Sequence, residues 1–323
     1  EVIGDNYELP NETAYCETCA AISNAMWNHR MFLLHGDAKY LDVLERVLYN
    51  GFISGVSFSG KEYFYPNPLA SDGEWEFNKG AKVRQAWFGC SCCPTNVVRF
   101  LPSLPGYAYA VKDDVAYVNL FMGSGATLDV NGQTVRLAQE TNFPWDGLVK
   151  VVVDVDSEVD FELRIRIPGW AQGEPVPSDL YRYVDEASEA PTLTVNGEAI
   201  DLNMDGGFAC VRRTWQRDDS VDLSLAMAVK RVVSHESVEA NKGRVAIERG
   251  PILFCAEAVD NGVGVRERLL SKSVDLAASY RADLLHGVVV LSGDGWTLIP
   301  YYAWCHRGAN EMAVWLKSGQ TSM

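Results

Sequence analysis

The sequence predicts a multidomain protein in which a helical part, up to about Tyr109, is followed by antiparallel β-sandwich modules. Three observations carry that reading. Apolar residues recur at helical spacing between residues 18 and 48. From about residue 110 the apolar period changes to two, most clearly where Phe161, Leu163, Ile165 and Ile167 alternate with Glu162, Arg164 and Arg166. Asn131-Gly132 and Asn196-Gly197 are tight-hairpin dipeptides, because both residues tolerate the positive φ that such turns need.

The first helix is expected from Thr18 to His35, with Ile22, Met26, Leu33 and Leu34 apolar and Gly36 as its stop. Asp37 can cap a second helix carrying Tyr40, Val43, Leu44, Val47 and Leu48 on one face, and Asn50-Gly51 is expected to end it. Residues 52 to 89 hold Gly, Pro and aromatics without sustained periodicity, as in Tyr63-Phe64-Tyr65-Pro66-Asn67-Pro68. A long functional loop region or short hairpins fit that pattern. Pro94 is expected to open a short helix through Val97, Val98 and Phe100. Within the β part, residues 171 to 191 are rich in Pro, Glu, Ser and Ala and read as a surface insertion. The tail from Leu298 to Lys317 adds two apolar runs.

Composition excludes several classes. The 323 residues are 47% hydrophobic and 22% charged, which is globular rather than disordered. A net charge of −15 repels phosphate backbones and anionic lipid surfaces, so neither nucleic acid nor membrane is expected as a partner. No apolar run approaches the roughly 20 residues of a membrane-spanning helix. The chain starts at Glu1 and runs at once into motif-dense sequence, so a natural N-terminal portion is expected to precede it.

The chain has eight cysteines, and five of them lie in two clusters within the first 93 residues. Clustered thiols in an enzyme-sized chain point to metal or nucleophile chemistry rather than to a disulfide scaffold. Glu17, Cys19, Cys92 and Cys93 together supply one carboxylate and three thiolates, a complete tetrahedral set for Zn2+. Pro94 is expected to keep the backbone at Cys93 out of the helical region, so that both thiols can reach one ion. The helix start beyond it, and the ion itself, would favour a thiolate at neutral pH. A closed zinc site that merely joins two loops would use the same ligands. Cys16 and Cys90 read as buried and metal-free, and Cys210, Cys255 and Cys305 as buried small hydrophobes. None of the five histidines has a metal-pair spacing such as His-x3-His. Trp87 and Phe88 read as packing residues that could otherwise stack on a ligand.

Four blocks of sequence resemble one enzyme family. They are Asn6 to Ala20 with its Glu-Thr-Cys-Ala, Phe64-Tyr65-Pro66-Asn67-Pro68-Leu69, Gly89 to Asn96 with its Cys-Cys-Pro, and the tail from Ile299 to Trp315. They are similar to the signature of the zinc-dependent β-L-arabinofuranosidases of glycoside hydrolase families 127 and 146. The resemblance implies that Glu17, Cys19, Cys92 and Cys93 bind zinc and that Cys92 is the nucleophile. It implies that Glu1, sixteen positions before Glu17, is the general acid/base, and that Tyr65 lines the sugar subsite. The family's sugar-binding histidines lie upstream of the acid/base glutamate, where this chain has no residues.

The implied fold is a partial (α/α)6 toroid, residues 1–109, followed by two antiparallel β-sandwich modules. The first would span 110–228 and take back the tail, 297–323; the second, smaller one would span 229–296. The implied function is a retaining exo-glycoside hydrolase releasing terminal β-L-arabinofuranose from a plant-derived glycan. The same chemistry on another pectin-type sugar, and a non-catalytic carbohydrate-binding protein with a structural zinc site, are the alternatives. Three reduced thiolates suit a bacterial cytoplasm, while zinc would protect them in a periplasm, so the compartment stays open.

Overall fold

The computed structural model describes residues 4–184 and 189–319; Glu1 lies outside the described residues. Helix α1, Thr18–His35, matches the expected span. Gly36 stops it in the left-handed region at φ 68°, with its N–H donated to Phe32 O at 2.7 Å. Helix α2, Lys39–Arg46, follows Ala38 as its N-cap, and Asp37 Oδ1 accepts the N–H of Lys39 at 2.9 Å from one residue further out.

Asn50-Gly51 does not end that helical run. The chain continues as a π-helical turn, Val47–Phe52, and a 3-10 turn, Ile53–Gly55. Asn50 is buried and works as a bracket rather than a stop. It donates to Arg46 O at 2.8 Å and Pro251 O at 2.9 Å, and accepts Leu253 N–H at 2.8 Å. Those bonds satisfy backbone groups of a distant strand, which outweighs the local preference for a turn.

Helix α3, Cys92–Phe100, starts two residues earlier than expected and places the cysteine pair in its first turn. A proline at the third helical position lacks only an N–H that has no partner there, so it is tolerated. That explains why the restriction on residue 93 is overridden. On their outer sides, α1 leaves Trp27, Leu33 and Leu34 exposed, and α3 leaves Val98 exposed.

The β part begins with two sheets packed face to face. A six-stranded sheet runs in the order Glu198–Ile200, Thr192–Val195, Asp219–Ser224, Leu148–Val155, Gln133–Thr141, Ser124–Val130. A five-stranded sheet runs Met204–Asp205, Phe208–Trp215, Val159–Arg166, Val115–Val118, Tyr109–Lys112. One core joins them: Val135, Leu137, Val151 and Val221 from the first meet Val118, Phe161, Leu163 and Ile165 from the second. The pairing is antiparallel except that Val115–Val118 lies parallel to Val159–Arg166. Both Asn-Gly turns form as expected, with Asn131 at φ 51° and Asn196 at φ 52°.

The β module expected beyond residue 229 is built on a single sheet. Nine strands from that stretch, together with Ala70–Asp72 and Tyr181–Tyr183, form one branched eleven-stranded sheet. Its residues alternate between two cores, with Cys255 and Ile299 facing one and Phe254, Ala256 and Leu298 facing the other. The tail belongs here and does not return to the first sandwich. Trp296–Pro300 and Glu311–Ala313 pair with Ile252–Glu257, and Leu316–Ser318 pairs with Arg244–Arg249. Its apolar runs have period one-in, one-out on a two-faced sheet, and pattern alone cannot name the partner strand. Part of the 171–191 segment is likewise drawn in, since Tyr181–Tyr183 pairs with Val229–Ser234. No helix among the described residues is long and apolar enough to cross a membrane.

Two connections fix the helices on this β scaffold. Ala70–Asp72 adds a strand directly to Glu311–Ala313. On the other side, Arg166 is fully buried although the alternation put it outside. It donates to Asn119 O at 2.6 Å, to Asp42 Oδ1 at 2.7 Å and to Glu45, whose second oxygen accepts Trp170 Nε1 at 3.0 Å. The two acids of α2 supply the charge that lets the guanidinium enter the interior.

Candidate metal centre

The chain before α1 is clasped to the aromatic loop that follows α2. Glu17 bridges to Pro66, and Thr18 N–H donates to Tyr65 O at 3.0 Å. Asn67, buried, donates through Nδ2 to Cys16 O and Thr18 Oγ1, both at 3.0 Å, and accepts Ser54 Oγ at 2.9 Å. Gly55 runs so close that a β-carbon there would sit 2.3 Å from Thr18 Oγ1. These bonds set the direction in which α1 starts. Glu17 occupies the residue before the first turn in an extended conformation, and its carboxylate makes no cap. It is therefore free to point at the start of α3.

There the side chains converge. One ligand atom each from Glu17, Cys19, Cys92 and Cys93 lies within 4.8 Å of every other. Cys19 Sγ is 3.7 Å from Cys93 Sγ, and Cys92 Sγ is 3.9 Å from Cys93 Sγ. Glu17 Oε1 stands 3.3 Å from Cys92 Sγ and 3.8 Å from Cys93 Sγ. A tetrahedral centre with metal–sulfur bonds of about 2.3 Å places its sulfurs about 3.8 Å apart. The two sulfur–sulfur distances to Cys93 match that figure, so the four side chains fit one metal ion.

Electrostatics agree with the geometry. Burial pushes the Cys19 thiol up to about 11 and the Cys93 thiol further in the same direction. Three thiolates cannot share so small a space without a cation to balance them. Cys19 lies in the first turn of α1 and Cys92 in that of α3, where the positive end of each helix dipole favours a thiolate, and a backbone bond from Cys19 pulls Cys93 the same way. Glu17 and Cys93 are buried, whereas Cys19 and Cys92 are half-buried.

Tyr65 joins the cluster as its own ring packs edge-on against Phe88, 5.6 Å between centroids. Its hydroxyl is 3.4 Å from Cys92 Sγ, and that contact raises the phenol pKa above its ordinary value. The five expected residues that are described, Glu17, Cys19, Tyr65, Cys92 and Cys93, thus lie together. Glu1 falls outside the described residues.

Three readings of individual residues are corrected. Cys16 and Cys90 are exposed; Cys16 stands beside Glu17, which turns inward to the cluster. Trp87 is exposed, while Phe88 beside it is buried against Tyr65. Cys210 is only half-buried; Cys255 and Cys305 are buried as expected. The supporting residues Thr18, Asn67, Asn78 and Lys79 were not singled out by sequence reasoning. Thr18, inside the Glu-Thr-Cys-Ala block, and Asn67, inside the Tyr-Pro-Asn-Pro block, carried a visible signal.

Comparison with known proteins bears on the whole chain. Residues 1–106 match the catalytic domain of the GH127 β-L-arabinofuranosidases, 115–227 the middle domain of that family and 229–317 its C-terminal domain. A non-reducing end β-L-arabinofuranosidase of Bifidobacterium longum is 34% identical over 96% of this chain and 50% of its own length. The solved structure of the GH127 β-arabinofuranosidase BT3674 is 46% identical, with a TM-score of 0.91 over 98% of this chain and 51% of the other. A GH127 β-L-arabinofuranosidase from Geobacillus stearothermophilus is 39% identical, with a TM-score of 0.88 over 97% and 51%. The chain spans about half the length of these relatives. With all three domain models of one family matched in order along it, the chain belongs to glycoside hydrolase family 127.

Proposed function

We propose that the protein is a retaining exo-acting glycoside hydrolase that releases terminal β-L-arabinofuranose from a plant-derived glycan. In this reading Zn2+ is held by Glu17, Cys19, Cys92 and Cys93, Cys92 is the nucleophile and Glu1 the acid/base. Helices α1 to α3 are the closing part of an (α/α)6 toroid. The observation that carries the reading is the convergence of three sulfurs and one carboxylate within 4.8 Å, from the starts of two helices.

Each residue has a defined task. Cys92 Sγ attacks the anomeric carbon, and the carbon–sulfur bond forms as the bond to the leaving oxygen breaks. Glu1 donates the proton that this oxygen takes up. Glu1 then removes a proton from water, which attacks the same carbon from the vacated side and returns the electron pair to Cys92. Two displacements retain the configuration. When bound, zinc would keep the ligating sulfurs ionised and stabilise the departing thiolate. Once Cys92 is ionised its Sγ can only accept, so the Tyr65 O–H 3.4 Å away would donate to it and orient it. Half-burial of Cys92 supports a reactive rather than a sealed sulfur.

The test is turnover of aryl β-L-arabinofuranosides and pectin-type analogues by the full-length protein, with and without chelator. Release of arabinose, lost on chelation and lost in Cys92→Ala, is the expected result. Undiminished turnover by Cys92→Ala would remove the nucleophile. Sugar binding without turnover by the zinc-loaded protein would favour a binding module.

A further inference from the structure

Lys79 has no part in the chemistry above, yet it rests on the ring that touches Cys92. Its Nζ lies 4.2 Å from the centroid of Tyr65 and 5.2 Å from that of Tyr15, and donates to Tyr15 Oη at 2.8 Å. Phe88 meets Tyr65 edge-on at an interplanar angle of 87°. The hydroxyl of that clamped ring is the one 3.4 Å from Cys92 Sγ.

The turn that presents Lys79 is latched to the same aromatic loop. Asn78 is fully buried; its Oδ1 accepts the Tyr65 N–H at 2.7 Å, and its Nδ2 donates to Tyr63 O at 3.1 Å and Val83 O at 2.8 Å. Lys79 itself takes φ +55°, a left-handed backbone in which glycine is the unstrained choice. In a chain of net charge −15, Lys79 forms no ion pair with a carboxylate among the described residues. A cation thus sits in a strained position against two tyrosines beside the nucleophile, within the field of Glu17 but with no carboxylate in ion-pair contact among the described residues. Cation–π attraction and the bond to Tyr15 account for that placement.

We propose that Lys79 is a positioning residue for Tyr65, holding the ring so that its hydroxyl stays on Cys92 Sγ. The catalytic consequence rests on the function proposed above; the positioning itself does not.

Lys79→Gly separates this role from a structural one, because glycine relieves the left-handed strain while removing the cation. The readout is iodoacetamide alkylation of Cys92 in the zinc-loaded full-length protein, followed by fragment mass spectrometry. A cation–π contact at an exposed site corresponds to a rate change of about two- to fivefold. Lys79→Gly should raise Cys92 labelling by that factor, with zinc content unchanged and the melting temperature unchanged or higher. Lys79→Met should do the same, and Lys79→Arg should restore the parent rate. In a Tyr65→Phe background the effect of Lys79→Gly should vanish, because the hydroxyl it positions is gone. In turnover the loss should fall on kcat rather than KM. An equal effect of Lys79→Gly with and without the Tyr65 hydroxyl, or none in either, would overturn the proposal. Because labelling needs no substrate, a failure of the glycosidase reading leaves this test intact.

Discussion

Replacing Arg166 by methionine should cost the protein about 3–5 kcal/mol of stability at pH 7, the usual cost of breaking a buried ion pair from one side. Arg166 has no exposure, and it bonds Asp42, Glu45 and the carbonyl of Asn119 at the seam between α2 and the first sandwich. Methionine fills much of the volume but leaves the buried Glu45 and the part-buried Asp42 carboxylates without their cation. The deficit should also depend on pH. Burial raises the Asp42 carboxyl to about 6 even while Arg166 pulls the other way. Without the arginine it rises further. The folded state then holds more protons than the unfolded state, so the stability of Arg166→Met should recover as pH falls from 7 toward 5. Denaturant titration of parent and variant, read by hydrogen exchange in α2 and in Val159–Arg166, measures both effects. A loss under about 1 kcal/mol, or a deficit that does not shrink on acidification, would refute the reasoning.

Two further outcomes are expected. His306 has its neutral form fixed from both sides: Nδ1–H donates to Ala303 O at 2.8 Å, and Nε2 accepts Phe58 N–H at 3.0 Å. Burial, with Arg84 nearby, lowers it from 6.5 to about 4. Its contribution is present above pH 6.5 and lost as pH falls toward 4, about 1–2 kcal/mol after allowing for partial exposure. His306→Gln should flatten that part of the stability–pH curve, and an unchanged slope would count against it. Gly55→Ala would place a methyl 2.3 Å from Thr18 Oγ1 and 2.7 Å from its Cγ2, costing about 1–3 kcal/mol. Because Thr18 sits between Glu17 and Cys19, the variant should also lose zinc to a competing chelator faster than the parent. Parent-like retention would show that the clasp does not orient the ligands.

Some of this was legible in the residues and some was not, for identifiable reasons. Helix α1 and both Asn-Gly hairpins follow from local chemistry: apolar spacing with a glycine stop, and side chains that tolerate positive φ. Asn50 and Arg166 were misjudged because their partners are distant in sequence, Pro251 and Leu253 for one, Asp42 and Glu45 for the other. The Cys92-Cys93 pair was expected outside a helix, whereas the first helical turn accommodates both thiols and Pro94. Spacing alone could offer Glu17, Cys19, Cys92 and Cys93 as a ligand set; only the fold brings the two stretches together. The clamp on Tyr65 was invisible, since nothing in the sequence links Lys79 to a ring fourteen positions earlier.

The most direct measurement is zinc K-edge X-ray absorption on the purified full-length protein, with metal content determined alongside. We expect one zinc per chain with about three sulfur neighbours near 2.3 Å and one oxygen near 2.1 Å, reduced by a sulfur in Cys19→Ser. Protein purified without zinc, unable to take it up, or binding it without sulfur would contradict the four-ligand centre.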